Sequence, residues 1–385
     1  GFGEIGADGK ELEARVVEIA REGGLRIIGP NTSGMINLHT HLDIVGVSHV
    51  PSGDIALLTQ SGNMGLAVMT EAAVKSQKGF SYYVGVGNEA DVRFHEYLEF
   101  LQHDPGTKAI LMYVEGMRDG RGFLQQAYTT TRAKPIVLLK SGRTATGRRS
   151  AGSHTGALAG ISEVARTAFQ RAGIIVVESS DELFPVAEAL SSLPPVKNNK
   201  VAILADGGRH ATNAADELTE AGLEIPTLSD KTQARLRELL PAAASVANPV
   251  DVAGGADASP DVLADCARVL LGDHEVGGLL IAGLFGGYAI RFAESLAFVE
   301  EDTAHRLGKL VRSSQKPLIL YSLYSFAKPH SLDLLRYYNI PVHDSLEVAC
   351  RCLGALAEHG SYLRSYEAKH KFVFDWGAKA RKEGT

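Results

Sequence analysis

The residues best equipped for chemistry lie in one stretch, Gly142-Arg143-Thr144-Ala145-Thr146-Gly147-Arg148-Arg149-Ser150-Ala151-Gly152-Ser153-His154-Thr155-Gly156-Ala157-Leu158-Ala159-Gly160. It follows an apolar run, 135–140, that reads as a buried parallel strand. Within the stretch the imidazole of His154 is the only good nucleophile. Arg143, Arg148 and Arg149 precede it and would help hold an anion. The surrounding Gly, Ala and Ser bury little, so such a loop can move. By composition alone the stretch is equally a strand-to-helix loop with an incidental histidine.

Other strand ends carry polar groups where open α/β sheets place their ligands. After the apolar run 55–59, the turn Gln60-Ser61-Gly62-Asn63-Met64-Gly65 leads into a helix expected at 66–75. Free N–H groups and the helix dipole suit an anion there, and an ordinary N-cap reads the same way. The run 80–86 ends in Gly87-Asn88-Glu89-Ala90-Asp91, and the run 109–114 ends in Glu115. A further run, 201–205, leads into the turn Asp206-Gly207-Gly208-Arg209-His210-Ala211-Thr212 and a helix expected at 213–221.

Ser153-His154-Thr155-Gly156-Ala157-Leu158-Ala159-Gly160 resembles the phosphohistidine loop of the ADP-forming (NDP-forming) acyl-CoA synthetases, relatives of succinyl-CoA synthetase. Gln60-Ser61-Gly62, Gly87-Asn88-x-Ala90-Asp91 and Tyr113-Val114-Glu115-Gly116 stand in that family's order, and the resemblance extends from the first helix to His359. It implies that His154 carries a phosphoryl group between an acyl phosphate and a nucleotide. Glu115 would accept the second N–H of the histidine. Ser61, Gly62, Asn63, Gly207, Gly208, Ser153 and Thr155 would contact phosphate. Gly87, Asn88 and Asp91 would lie near the acid and CoA. The family is more glycine-rich where this chain has Arg209 and His210, which leaves the second phosphate site open. The implied activity ligates a carboxylic acid to CoA with ATP/ADP. Mg2+ and nucleotide would be bound mainly by an ATP-grasp domain or subunit outside this chain, in a homo-oligomer. Two other readings share the scaffold: a CoA- or nucleotide-sensing regulatory module of a fused acetyltransferase, and a lyase that first activates its acid as the CoA thioester.

The elements that must position these residues alternate strand and helix. The expected fold class is α/β, with two doubly wound, flavodoxin-like parallel-sheet domains, and the resemblance implies that a remnant of an N-terminal Rossmann CoA-binding domain precedes them. The expected divisions are 1–36 for the remnant, 37–193 for the phosphohistidine domain, 194–360 for the second flavodoxin-like domain and 361–385 for a linker toward an ATP-grasp domain. A helix at 11–22, a strand at 25–29 and an irregular connector at 36–50 precede the first sheet. The segment 191–200, with Pro194-Pro195, links the domains, and the last strong helix is 345–359. The chain starts without a methionine and in mid-domain, which reads as a fragment or processed chain.

At 385 residues two or three domains are expected. A net charge of −6 argues against a nucleic-acid partner. No apolar run reaches membrane-spanning length. Cys266, Cys350 and Cys352 form neither a disulfide framework nor a zinc spacing, which suits the cytoplasm. His39, His41 and His49 have no ligand cluster near them in sequence, so no metal site is assigned.

Overall fold

Strands built from Val, Ile and Leu are apolar on both faces and need cover on both. The computed structural model, which describes residues 2–142, 144, 146, 147 and 162–369, meets that need with two parallel sheets and shared helices. Ser153, His154 and Thr155 lie outside the described residues.

The first sheet holds β1 (Met35–Asn37), β2 (Leu42–Asp43), β3 (Ser52–Thr59), β4 (Phe80–Gly85), β5 (Ala109–Val114), β6 (Ile136–Lys140) and β7 (Ile175–Val177). Its order is β2-β1-β4-β3-β5-β6-β7, parallel from β4 through β7. The second sheet holds β8 (Val201–Ala205), β9 (Val250–Asp251), β10 (Gly278–Gly283), β11 (Leu318–Ser322) and β12 (Val342–His343). Its order is β12-β11-β10-β8-β9, parallel throughout. Numbered from its own first parallel strand, each sheet runs 2-1-3-4-5, the flavodoxin order.

The helices before the interdomain link are α1 (Ala7–Glu22), α2 (Gly62–Lys75), α3 (Phe94–His103), α4 (Gly120–Thr130), α5 (Ser162–Arg171) and α6 (Ser180–Ser192). After it come α7 (Gly208–Glu220), α8 (Asp230–Leu239), α9 (Gly255–Ala258), α10 (Val262–Leu271), α11 (Tyr288–Arg291), α12 (Leu296–Ser314), α13 (His330–Tyr337) and α14 (Leu346–Lys369). Every residue of α6 from 183 to 190 is buried. A surface helix shows an apolar stripe, whereas one buried all round is enclosed by other elements. Here α6 packs on α14 and on the first sheet, and α14 packs in turn on α7 and the second sheet. One apolar cluster therefore runs from Phe80 and Phe184 through Leu353 to Leu279 and Ile319. A second cluster, with Leu58, Phe94, Met112 and Phe123, fills the other face of the first sheet. No helix among the described residues is long and apolar enough to cross a membrane.

Three local expectations are corrected. Residues 25–29 form no strand. They pair with the irregular loop 88–92, where Ala90 N–H reaches Gly29 O at 3.0 Å and Val92 N–H reaches Ile27 O at 3.2 Å. The connector expected at 36–50 instead supplies the antiparallel ribbon β1–β2, and β1 pairs antiparallel with β4. The last helix does not stop at 359, so 361–369, expected as linker, is helical. Side-chain anchors extend it. Tyr362 Oη lies 3.1 Å from Thr131 Oγ1, and Arg364 donates to Val196 O at 3.0 Å. The Arg132 guanidinium sits over the Tyr128 and Tyr366 rings at 4.2 and 4.3 Å.

Glu188, in α6, is buried between the domains and accepts a hydrogen bond from Ser76 Oγ. Burial pushes its carboxyl up to about 7, against the Ser76 bond and the charges of Arg336 and Lys78. A carboxyl raised on folding supports stability fully below its ordinary value of 4.5, and that support is lost as pH rises through 7. Glu188→Gln, which stays neutral, should therefore gain stability over the parent as pH goes from 5 to 8, by up to about 3 kcal/mol. Thermal melts across that range check this; a constant difference would mean that Glu188 ionises as an ordinary surface carboxylate does.

Candidate functional site

A doubly wound sheet opens a crevice between the two strands whose connections leave in opposite directions. In the first sheet these are β3 and β5. β3 ends at Thr59, whose hydroxyl donates to Ser61 O at 2.8 Å and accepts Ser61 N–H at 3.0 Å. Ser61 is the extended N-cap of α2 and accepts Met64 N–H at 3.4 Å. Gly62 and Asn63 stand exposed in the first turn, where helix N–H groups lack partners within the helix.

Across the crevice β5 ends in Glu115, which is half-buried. Gln60 bridges the two sides: its Oε1 accepts the N–H groups of Glu115 at 2.7 Å and Gly116 at 3.0 Å. On the other flank Lys140 Nζ donates to Glu115 O at 2.7 Å and Ser141 O at 2.8 Å. Burial lowers the Lys140 pKa, and the Glu115 charge opposes that. The structure thus brings Ser61, Gly62, Asn63 and Glu115 to one crevice, beside the strand that leads into the histidine loop.

Gly87 and Asn88 join that region, and Asp91 does not. A cavity of about 490 Å³ lies elsewhere, between the domains, whereas one of about 890 Å³ is lined by Gln60, Gly87, Asn88, Gly116 and Arg118 and roofed by α1. Gly87 has φ +62°, and a Cβ there would strike the Pro30 carbonyl. The Asn88 amide donates to Glu4 Oε2 and Glu13 Oε2, each at 2.8 Å. Arg118 pairs with the same buried Glu13. The Asp91 carboxylate is fully buried against the N-terminal segment. It accepts from Arg21 at 2.8 Å, Arg26 at 2.9 Å and Ile27 N–H at 2.8 Å. Burial pushes its pKa up, but the Ile27 bond and the two arginines outweigh this and hold it at about 2. Expected near the acid and CoA, Asp91 has its carboxylate occupied as an anchor.

The corresponding crevice of the second sheet lies between β8 and β10. Gly207 is the N-cap of α7, with no side-chain cap, and Gly208 and Arg209 are exposed. The His210 ring meets Tyr321 edge-on, centroids 6.0 Å apart. Behind them Asp206 Oδ2 accepts Leu284 N–H at 2.6 Å and Tyr288 Oη–H at 2.7 Å. Burial raises its pKa. Glu300 fixes the neighbouring loop by accepting the N–H groups of Gly286, Tyr288 and Ala289 at 2.7, 3.1 and 3.2 Å. Asn248, in the Asn-Pro-x-Asp segment, bonds Ile203 N–H, Val201 O and Pro226 O, so it braces β8.

The sequence by itself assigns no role to Gln60, Lys140 or Glu300. A polar side chain at the end of an apolar strand is the signal Gln60 and Lys140 share with Glu115. Glu300, inside a helix, gives no comparable signal. Removing the Asp91 anchor by Asp91→Ala leaves Ile27 N–H without its acceptor and should cost about 1–3 kcal/mol. Hydrogen exchange should quicken at Ile27, Ala90 and Val92 while β5 amides stay protected. Unchanged exchange at those three would mean that the carboxylate does not hold the segment.

A family model described as the succinyl-CoA ligase-like flavodoxin domain matches residues 52–190. The ADP-forming acetate–CoA ligase II subunit alpha of Pyrococcus furiosus is 34% identical over 360 residues, spanning 93% of this chain and 76% of that one. The ADP-forming 4-hydroxybutyrate–CoA ligase of Nitrosopumilus maritimus is 34% identical over 400 residues, with 99% of this chain and 55% of that protein covered. A solved structure of dinucleotide-forming acetyl-coenzyme A synthetase 1 from Ca. Korarchaeum cryptofilum, in complex with phosphate and ADP, superposes with a TM-score of 0.82 at 28% identity, covering 95% of this chain and 78% of that one. With two flavodoxin-ordered sheets and these relatives along nearly its whole length, the chain belongs to the ADP-forming acyl-CoA ligase family, the NDP-forming synthetases built on succinyl-CoA ligase-like domains.

Proposed function

We propose that this chain is the acyl-transferring part of an ADP-forming acyl-CoA ligase, with His154 as phosphoryl carrier and Glu115 as its orienting partner. The observation that supports this best is the crevice of the first sheet. There Gln60 joins the helix N-terminus at Ser61–Asn63 to the Glu115 peptide, next to the strand that leads into the His154 loop.

In the ligation direction ATP transfers its γ-phosphoryl group to a neutral His154 nitrogen, and ADP leaves. The phosphoryl group passes to the carboxylate of the acid, the N–P bond breaks, and an acyl phosphate forms. The CoA thiolate attacks the acyl carbon and phosphate leaves. Glu115, accepting the other ring N–H, would fix the tautomer and support the positive charge that the phosphorylated ring acquires. Ser61, Gly62 and Asn63, with Ser153 and Thr155, would offer donors to the phosphoryl oxygens. Gly207 and Gly208 would receive it at the second crevice, with Arg209 supplying the charge that extra glycines do not.

CoA and nucleotide are the substrates this family membership brings. We assign nucleotide and Mg2+ binding to an ATP-grasp partner. Among the described residues no group of three or more His, Cys, Asp or Glu side chains could hold a metal ion. We place the carboxylic acid and the reactive end of CoA at the 890 Å³ cavity beside Gln60, Gly87, Asn88 and Gly116. The three buried free cysteines fit a reducing cytoplasm.

Intact-mass and peptide analysis of the complete enzyme after brief exposure to ATP and magnesium, quenched at alkaline pH, should show one added phosphoryl group on the His154 peptide. Acid plus CoA should discharge it. His154→Ala should carry none and turn over undetectably; full activity in that variant would end the mechanism. Glu115→Gln should slow phosphorylation by about 10²–10⁴-fold and leave CoA affinity nearly unchanged. An equal loss of both would mark a folding defect instead.

A further inference from the structure

Among the described residues the main-chain bonds of β5 end at Val114. On the β3 side the last bond is Gln60 N–H to Tyr113 O at 3.2 Å, and on the β6 side it is Ser141 N–H to Val114 O at 2.9 Å. The next peptide, Glu115, lies in half-buried surroundings where its N–H and C=O need partners. Two side chains replace the missing strand neighbours. The Gln60 carboxamide oxygen takes the Glu115 N–H at 2.7 Å. The Lys140 ammonium takes the Glu115 carbonyl at 2.7 Å and also holds Ser141 O, one residue before Gly142 opens the His154 loop. The ladder is thus extended by one residue on both flanks of β5.

A neutral donor could satisfy those carbonyls without the desolvation that a half-buried ammonium suffers. The Glu115 charge, on the residue whose backbone Lys140 holds, opposes that effect of burial.

We propose that Gln60 and Lys140 are positioning residues of the phosphoryl-transfer site: Gln60 sets the Glu115 backbone, and Lys140 ties it to the root of the His154 loop. The proposal rests on the reading of Glu115 as partner of His154. Neither side chain touches the phosphoryl group in this scheme; both act through Glu115.

The test is a rapid-quench measurement of single-turnover His154 phosphorylation by ATP in the complete enzyme. Lys140→Met should slow the step by about 10–100-fold, the loss expected of a small misplacement. The KM for ATP should stay within about twofold, since uniform binding is untouched. Lys140→Arg, which keeps a charge and several donors, should recover most of the rate. Gln60→Ala should also slow the step at constant KM. Lys140→Met placed on Glu115→Gln should add little, because two groups acting through one carboxylate are not additive. Wild-type rates in Lys140→Met and Gln60→Ala would overturn the proposal, and so would fully additive losses on the Glu115→Gln background. If Lys140→Met does not fold, Gln60→Ala decides: a slowed step at constant KM supports the proposal and a wild-type rate overturns it. A wild-type rate in Glu115→Gln alone would overturn the underlying reading of Glu115, an outcome distinct from failure of the two positioning residues.

Discussion

Two parallel sheets, each apolar on both faces, have to be kept from water, and the rest of the molecule follows from that constraint. Four helix layers would cover them separately. Instead α6 and α14 lie between the domains, and the apolar cluster through Phe184 and Leu353 belongs to both sheets. Burying α6 on all sides holds the domains together, and it also encloses Glu188, a carboxyl that water would otherwise keep ionised. Cover over the strand faces leaves the carboxyl ends of the strands as the places where polar groups can gather. Ser61, Glu115, Asp206 and Gly207 all lie there.

The N-terminal segment is held differently. Its short ribbon β1–β2 adds antiparallel strands beside β4, but the stretch before it has no sheet to join. Buried carboxylates substitute for a ladder: Asp91 gathers Arg21, Arg26 and Ile27 N–H, and Glu13 gathers Asn88 and Arg118. Each carboxylate loses hydration and recovers it through charged or main-chain donors, which is the condition for burying a charge at all. The same contacts place α1 over the large cavity, so the roof of the candidate acid site depends on residues distant in sequence from its floor.

The sheets were legible because their strands are short apolar runs punctuated by glycine and polar turns. The reading 55–59 falls inside β3, and 201–205 coincides with β8. Helix starts were less so. α2 begins at Gly62 and α7 at Gly208, several residues before their apolar periodicity is visible, because glycine-rich first turns carry no stripe to recognise. The end of α14 was hidden for the opposite reason: Tyr362, Arg364 and Tyr366 look like a charged tail until Thr131, Val196 and Arg132 are beside them. At the site, Glu115, Ser61 and Gly87 could be picked out by their places at strand ends. The anchoring role of Asp91 could not, since its arginines lie 65 and 70 residues away along the chain. Gln60 and Lys140 were visible as residue types, but their roles depend on three strands standing side by side.

The loop after β10 carries a different consequence. Glu300 accepts three of its N–H groups, and Asp206 clamps Leu284 and Tyr288 beside it. That turn is frozen before any ligand arrives, so docking against it forfeits almost no conformational entropy. Whatever meets the second crevice encounters a stiff wall rather than a closing hand. A wall of that kind raises the affinity of whatever docks against it, because little ordering remains to be done on binding.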